Sequence, residues 1–325
     1  MAGERFPERR IGRNDEERGK ALLKRALDVM RIPRDRPRAP LPEGPLTGRR
    51  KPWRRVLART LAACNRSLSG LPPGRWWHRR VLAGLETPEI RLKLVPSRSA
   101  LSGMRIAFLS DLHAGNFLDA SDLRVLFERV AASDPDLVLF GGDLINTRTS
   151  ELHLFHGPLS VFEAPLGVFA VPGNHDLFWG PEAHEWRAFL AELGVRPLVN
   201  QGIRLEFRGT PFWLAGVDDL TEGRPDLERA LEGWREGETC ICLSHHPDFF
   251  FEAAAVGVDL VLAGHTHGGQ IRFGSWMPIR HSRFGWHEGL FEQEGSRLYV
   301  SRGVGTTILP VRFGAPPEIP FFVLE

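Results

Sequence analysis

An α/β fold of two stacked sheets with helices outside is what this sequence predicts, on three observations. Five apolar runs of strand length each stop at a polar cluster: MRIAFLS at 104–110, DLVLF at 136–140, LGVFAV at 166–171, TCICL at 239–243 and DLVLA at 259–263. Continuous apolar runs that end in polar clusters read as buried strands delivering site residues from their C-terminal ends. Helical stretches intervene at 121–132, 182–193 and 247–255. Alternating segments at 203–207 and 212–217, with Ile90, Leu92 and Leu94 upstream, supply enough further strands for two sheets.

The elements start late in the chain. Residues 1–14 and 32–52 are rich in Arg, Pro and Gly and read as flexible or extended. Between them Leu22, Leu23, Ala26, Leu27 and Met30 form a helical stripe. Trp53, Val56, Leu57, Thr60, Leu61, Cys64 and Leu68 form a cleaner one, with Arg54, Arg55, Arg59 and Arg66 off it. Arg75, Trp76, Trp77, His78, Arg79 and Arg80 follow the Pro72–Pro73 break. Residues 1–100 carry 25 Lys/Arg against 10 Asp/Glu, a net of +15, whereas the remainder carries 17 against 30, a net of −13. That asymmetry divides the chain into a basic arm, residues 1–87, and a more acidic domain, residues 88–325. Two readings of the arm stay open: its stripes pack on the domain, or a cationic, Trp-bearing segment lies on an anionic membrane surface. No nucleic-acid motif accompanies it, which sets a nucleic-acid partner aside.

At 325 residues with 42% hydrophobic and 25% charged content, the chain can bury an enzyme-sized core. Three cysteines, Cys64, Cys240 and Cys242, argue against a disulfide scaffold and fit a reducing compartment. Cys240 and Cys242 fall on one face of a strand and read as small buried apolar residues. No apolar run reaches the roughly 18 residues that span a bilayer, and Arg9–Arg10 precedes a polar stretch rather than a signal segment. The expectation is a cytoplasmic protein, peripheral on the inner face of the membrane if the arm binds there.

The chemistry gathers in five clusters: Asp111–Leu112–His113, Gly142–Asp143, Gly173–Asn174–His175–Asp176, Ser244–His245–His246 and Gly264–His265–Thr266–His267. Carboxylates, an Asn carbonyl and several imidazoles at strand ends make a ligand set for two metal ions sharing one carboxylate. Alternate side chains leave a strand end on one side, so Asp111 and His113 can reach one metal while Leu112 turns into the core. Gly141–Gly142 removes side chains where backbone must run close to the ions. Seven other histidines, at 78, 153, 156, 184, 246, 281 and 287, read as ordinary core or surface residues, with His246 the ambiguous one beside His245.

In order and type the five clusters resemble the calcineurin-like metallophosphoesterases, whose pattern runs DxH, GD, GNH(D/E), H, GHxH. The resemblance implies a four-layer α/β/β/α sandwich of two mixed sheets flanked by helices. It implies one metal on Asp111, His113, Asp143 and His267, and another on Asp143, Asn174, His245 and His265, with a water or hydroxide between them. His175 would then act as the catalytic acid outside the metal shell, with Asp176 orienting it. Mixed N/O ligands suit Mn, Fe, Zn or Co.

GHTHGGQI at 264–271 and the segments GVG at 303–305, LPVRF at 309–313 and PPEI at 316–319 are similar to a bacterial membrane-associated phosphodiesterase branch and to UDP-diacylglucosamine pyrophosphatases. This implies hydrolysis of a phosphodiester or pyrophosphate, on a phospholipid or UDP-linked lipid near the membrane. A soluble nucleotide phosphodiesterase and a non-catalytic scaffold of the same fold are the alternatives. Arg148, Phe178, Trp179, Arg272, Phe273 and Trp276 adjoin the motifs and are candidates for the walls of the site, with His281 and Arg283 as further phosphate contacts.

Overall fold

The computed structural model describes residues 72–93 and 101–325, apart from residues 116, 147, 179–182, 236, 275, 279 and 308. The stripes at 22–30 and 53–68, and Trp179, lie outside the described residues. The expected fold class is the one observed: two six-stranded mixed sheets flanked by helices.

The first sheet comprises β1 (Glu89–Leu92), β12 (Phe321–Leu324), β2 (Arg105–Leu109), β3 (Leu137–Phe140), β4 (Val168–Ala170) and β5 (Val195–Pro197), in that spatial order. Strands β2 to β5 are parallel, and β12, between β1 and β2, is parallel to β1 and antiparallel to β2. The second sheet runs β10 (Gly289–Gln293), β11 (Ser296–Val300), β9 (Leu260–Ala263), β8 (Thr239–Leu243), β7 (Thr210–Gly216), β6 (Gln201–Phe207). There β7, β8, β9 and β11 are parallel, with β6 and β10 antiparallel at the edges.

Strand alternation sorts the apolar side chains into layers. Leu137 and Leu139 of β3 meet Ile241 and Leu243 of β8 and Leu260 and Leu262 of β9 in the core between the sheets. Val138 and Phe140 point the other way, toward helices α2 (Ala120–Ala131) and α4 (Ala183–Glu192), which contribute Phe127 and Trp186. On the outer face of the second sheet, Cys240 and Cys242 pack with Phe249, Phe250 and Trp286, as small buried residues. Both are free thiols, and burial pushes the Cys242 thiol up to about 12.

Helix α2 shows how local sequence sets these boundaries. Asp119 accepts hydrogen bonds from the backbone of Ser121 (2.9 Å) and Asp122 (3.1 Å), and the Asp122 carboxylate accepts from the Asp119 backbone in return (3.1 Å). This capping box is worth about 1 kcal/mol. Leu123, Leu126, Phe127 and Val130 then recur at helical spacing and are all buried.

Helix α1 (Pro72–Ala83) falls within the stretch read as the arm, and Leu82 and Leu85 pack against the helix-side core of the first sheet. Its Trp76 and Trp77 are exposed and stacked on each other, ring centroids 5.2 Å apart. No helix among the described residues is long and apolar enough to cross a membrane.

Candidate metal centre

Side chains converge where the C-terminal ends of β2, β3 and β4 meet those of β8 and β9. Strand β2 ends at Leu109, so Asp111 and His113 leave from a loop rather than from a strand end. They take φ values of 53° and 47°, so strand alternation does not aim them. Asp143 (53°), His265 (71°) and His267 (53°) are left-handed as well. An L-residue there costs on the order of 1–3 kcal/mol, and it persists only where surroundings over-determine it. Here the loops after β2 and β3 supply that constraint: Asp111 donates its N–H to Gly142 O and His113 to Asp143 O, both at 3.0 Å. Leu112, between them, is fully buried in the helix-side core as expected.

Two glycines allow the close approach. Gly142 has a φ of 91°, and a Cβ there would press on His245 Nδ1 and the Gly173 backbone. A Cβ on Gly173 would land on the Asp143 carboxylate.

Asp143 sits at the centre. Its Oδ2 lies 3.3 Å from His245 Nε2 and 3.5 Å from His113 Nε2, and its Oδ1 accepts the His175 backbone N–H at 2.7 Å. His267 Nε2 is 3.0 Å from His113 Nε2 and 3.4 Å from Asp111 Oδ1. On the opposite side His265 Nδ1 is 3.3 Å from His245 Nε2. Three overlapping groups have ligand atoms close enough to share an ion: Asp111 with His113 and His267, Asp111 with Asp143 and His245, and His113 with Asp143 and His175. The Asn174 side chain is buried at the start of α3 (Asn174–Phe178).

Burial and mutual proximity set the charges. Burial drives the Asp111 carboxyl up to about 6, with Asp143 adding to the rise against an opposing pull from His245. Burial works on Asp143 in the same direction, yet His245, His175 and His113 outweigh it and hold Asp143 well below the usual carboxylate range. Burial lowers His113 to about 3, reinforced by His175. Burial also opposes the charged form of His245, but Asp143 and Asp111 overcome it and raise that imidazole well above its ordinary value.

The residues around these side chains fix their orientation. His245 donates Nδ1–H to the Gly141 carbonyl at 2.8 Å, which turns Nε2 toward Asp143. His246 instead accepts the Asp248 N–H at 3.1 Å and caps a short 3₁₀ turn, so of the two neighbours it is His245 whose Nε2 faces Asp143. The expected pairing of Asp176 with the His175 ring is not formed. His175 donates Nδ1–H to the Asn146 carbonyl at 2.7 Å, while Asp176 accepts from Ile145 N (3.1 Å) and Gly173 N (2.9 Å). Buried and pushed up to about 7 by burial and by Asp143, Asp176 ties the loops after β3 and β4 together. The reason is geometric: at the start of α3 a carboxylate one residue after His175 meets backbone N–H groups before it can reach the ring.

Sequence reasoning missed four other contacts. Ser110 donates to Asp111 Oδ2, and the Gly141 and Asn146 carbonyls orient His245 and His175. Arg312 donates to the His267 carbonyl from Nη1 (3.4 Å) and to the Gly305 carbonyl from Nη2 (2.5 Å), with Nη2 3.1 Å from His267 Nδ1, and burial lowers its guanidinium to about 10. Its LPVRF context was visible, but nothing in spacing joins residue 312 to residue 267. Of the wall candidates, Arg272 is tied to Glu288 and to the Gly314 carbonyl, and Arg148, Phe273, Trp276, His281 and Arg283 are exposed.

The donor set fits divalent metal. Two buried carboxylates and the imidazoles of His113, His245 and His267 bring their ligand atoms together, with His175 within the same reach, and Asn174 Oδ1 is buried with no hydrogen-bond partner. An orphaned buried carbonyl oxygen costs about 1–3 kcal/mol, and a cation would satisfy it.

The calcineurin-like phosphoesterase pattern matches residues 104–269. The Bacillus subtilis uncharacterized metallophosphoesterase YkuE is 34% identical over 248 residues, covering 74% of this chain and 86% of its own length. A transmembrane protein with metallophosphoesterase domain from Bos taurus is 31% identical over 258 residues, and the match spans 74% of this chain but only 56% of that relative. Among solved structures, a dimetal phosphatase from Danio rerio is similar at a TM-score of 0.40 and 13% identity, over 62% of this chain and 88% of that one.

Proposed function

We propose, from the premise that this chain belongs to the calcineurin-like phosphoesterase family, that it cleaves a phosphodiester or pyrophosphate bond of a lipid-linked substrate near a membrane. Metal-dependent phosphoester hydrolysis with two divalent ions is the family's chemistry. The observation that carries the assignment to particular residues is the Asp143 carboxylate, set between His113 on one side and His245 on the other. In this reading Asp111, His113, Asp143 and His267 hold one ion, and Asp143, Asn174, His245 and His265 hold the other. Two such ions supply activation of water and charge neutralisation at a phosphoryl oxygen.

The chain's own groups do the rest. His175 stands edge-on to His113, ring centroids 4.6 Å apart. With Nδ1–H donated to Asn146, Nε2 is the atom left to carry a proton to the leaving oxygen. Asp176 acts on His175 through the backbone it braces. Arg312 holds the His267 backbone in place through the His267 carbonyl and sets a positive charge beside Asp111.

The lipid-linked part rests on the GHTHGGQI, LPVRF and PPEI segments and on the cationic arm. The boundary between that arm, residues 1–87, and the domain, residues 88–325, belongs to the same proposal, as do a peripheral position on the cytoplasmic face and manganese as the working metal. A screen of metal-supplemented protein against phospholipids, UDP-linked lipids, cyclic nucleotides and phosphomonoesters tests it. Turnover of a lipid-linked diester or pyrophosphate is expected. Preferential turnover of cyclic nucleotides would replace the lipid with a nucleotide. Protein that holds no stoichiometric transition metal, and hydrolyses no generic aryl phosphodiester, would refute the enzyme itself.

A further inference from the structure

Among the described residues eight large hydrophobic side chains are exposed, and three of them lie together, Phe273 (56%), Trp276 (59%) and Phe313 (53%), with Leu309 (43%) tied through its carbonyl to Gln270, whose own carbonyl holds Phe313. Scattered exposed hydrophobics need no explanation, but a contiguous set marks a binding surface. Phe273 stacks at 4.7 Å from Phe313 and 5.8 Å from Trp276, centroid to centroid. The backbone beneath them is pinned. Arg272 N–H donates to Phe313 O (2.8 Å) and Phe313 N–H to Gln270 O (2.9 Å), while Phe273 and Trp276 exchange two hydrogen bonds of 3.0 and 3.1 Å. Gln270 Nε2 reaches the Leu309 carbonyl at 3.2 Å. The aromatics are therefore presented to solvent by a fixed frame.

This surface continues inward. A cavity of about 180 Å³ is lined by His267, Ile271, Pro278, His281, Thr307 and Leu309, and Leu309 belongs to both cavity and rim. Its lining includes His267, one of the side chains gathered at the metal centre. It is smaller than the roughly 300–1,000 Å³ of sites that enclose a whole drug-sized ligand. An apolar group that outgrows the cavity meets in Phe273 and Trp276, on the loop between the lining residues Ile271 and Pro278, the exposed apolar surface next to it. Exposed Arg280 and Arg283 flank the same loop and supply positive charge beside the apolar track, the arrangement that suits an apolar chain carrying an anionic head.

We infer that this cavity and its aromatic rim seat the hydrocarbon chain of the substrate, with the phosphate at the metal centre. The inference rests on the phosphoesterase reading above and adds where the chain lies. Seating one methylene is worth up to about fourfold in kcat/KM.

The test uses the full chain, metal-supplemented, and p-nitrophenyl alkyl phosphates with methyl, butyl, octyl and dodecyl chains, kept below their aggregation thresholds. The expected result is a kcat/KM that climbs with chain length and levels off once the rim is covered. Phe273→Ser with Trp276→Ser, both solvent-facing and so compatible with folding, should cut the dodecyl-to-methyl ratio by about tenfold or more. A flat chain-length profile with the methyl ester still turned over would overturn the track while leaving the phosphoesterase intact. If no ester is turned over, that reading fails, and calorimetric binding of dodecyl phosphate against methyl phosphate decides the track by itself. Equal binding of the two overturns it, and so does a double variant whose only change is from dimer to monomer, which would make the rim a contact between copies.

Discussion

The first sheet brings Asp111, Asp143 and Asn174 to the centre, whereas the second brings only imidazoles, His245, His265 and His267. The oxygen donors and the negative charge all come from the first side, together with His113 and His175, and the second side adds nitrogen alone. The second sheet's loops are also anchored on the first: His245 donates to Gly141 O, and the His265 N–H points at both Asp111 oxygens, 3.1 and 3.0 Å away. The proposed ligand set therefore exists only while the apolar core between the sheets is closed. It follows that damage on the oxygen side should remove the charge that holds metal, while damage among the orienting groups should leave metal bound and slow the reaction.

The widest separation between the two sides comes from Asp143→Asn. It should cost both ions and abolish measurable turnover, on the order of a thousandfold or more, as read by metal analysis alongside rate. Near-normal activity would break the asymmetry at its centre. His175→Ala should lower kcat on the order of 10²–10⁴-fold with metal content intact, and metal loss instead would make it a ligand. Asp176→Asn comes next. One of its two oxygens becomes an NH₂ that cannot accept from Ile145 or Gly173, so kcat should fall roughly 10–100-fold, and unaltered kinetics would show that the brace is dispensable. The smallest effect is expected at His246→Ala, about 1 kcal/mol of stability through loss of its cap. Thermal unfolding with metal analysis checks it, and lost metal would place His246 among the ligands beside His245.

The scaffold was legible because its strands are fully buried and therefore continuously apolar: TCICL spans 239–243 both in the sequence and as β8. The helix read at 121–132 is observed over Ala120–Ala131. Strands β10, β11 and β12 were not assigned: GLFEQ and SRLYV form an edge hairpin that mixes polar with apolar residues, and FFVL finds its partners β1 and β2 more than 200 residues earlier in the chain. At the site the residue types were legible and the backbone was not. Nothing in Asp111, His113 or His267 announces a positive φ, because packing between loops imposes it. The contacts of Asn146 with His175 and of Arg312 with His267 cross 29 and 45 residues through backbone carbonyls and a guanidinium, which no local pattern encodes.

The central claim is that Asp143 is shared between two ions. Crystals of manganese-loaded wild-type protein and of Asp143→Asn, measured for anomalous scattering with metal content determined in parallel, test it most directly. The account predicts two peaks flanking the Asp143 carboxylate in the wild type and the loss of both in the variant. A single peak remote from Asp143, or two peaks that persist in Asp143→Asn, would contradict it.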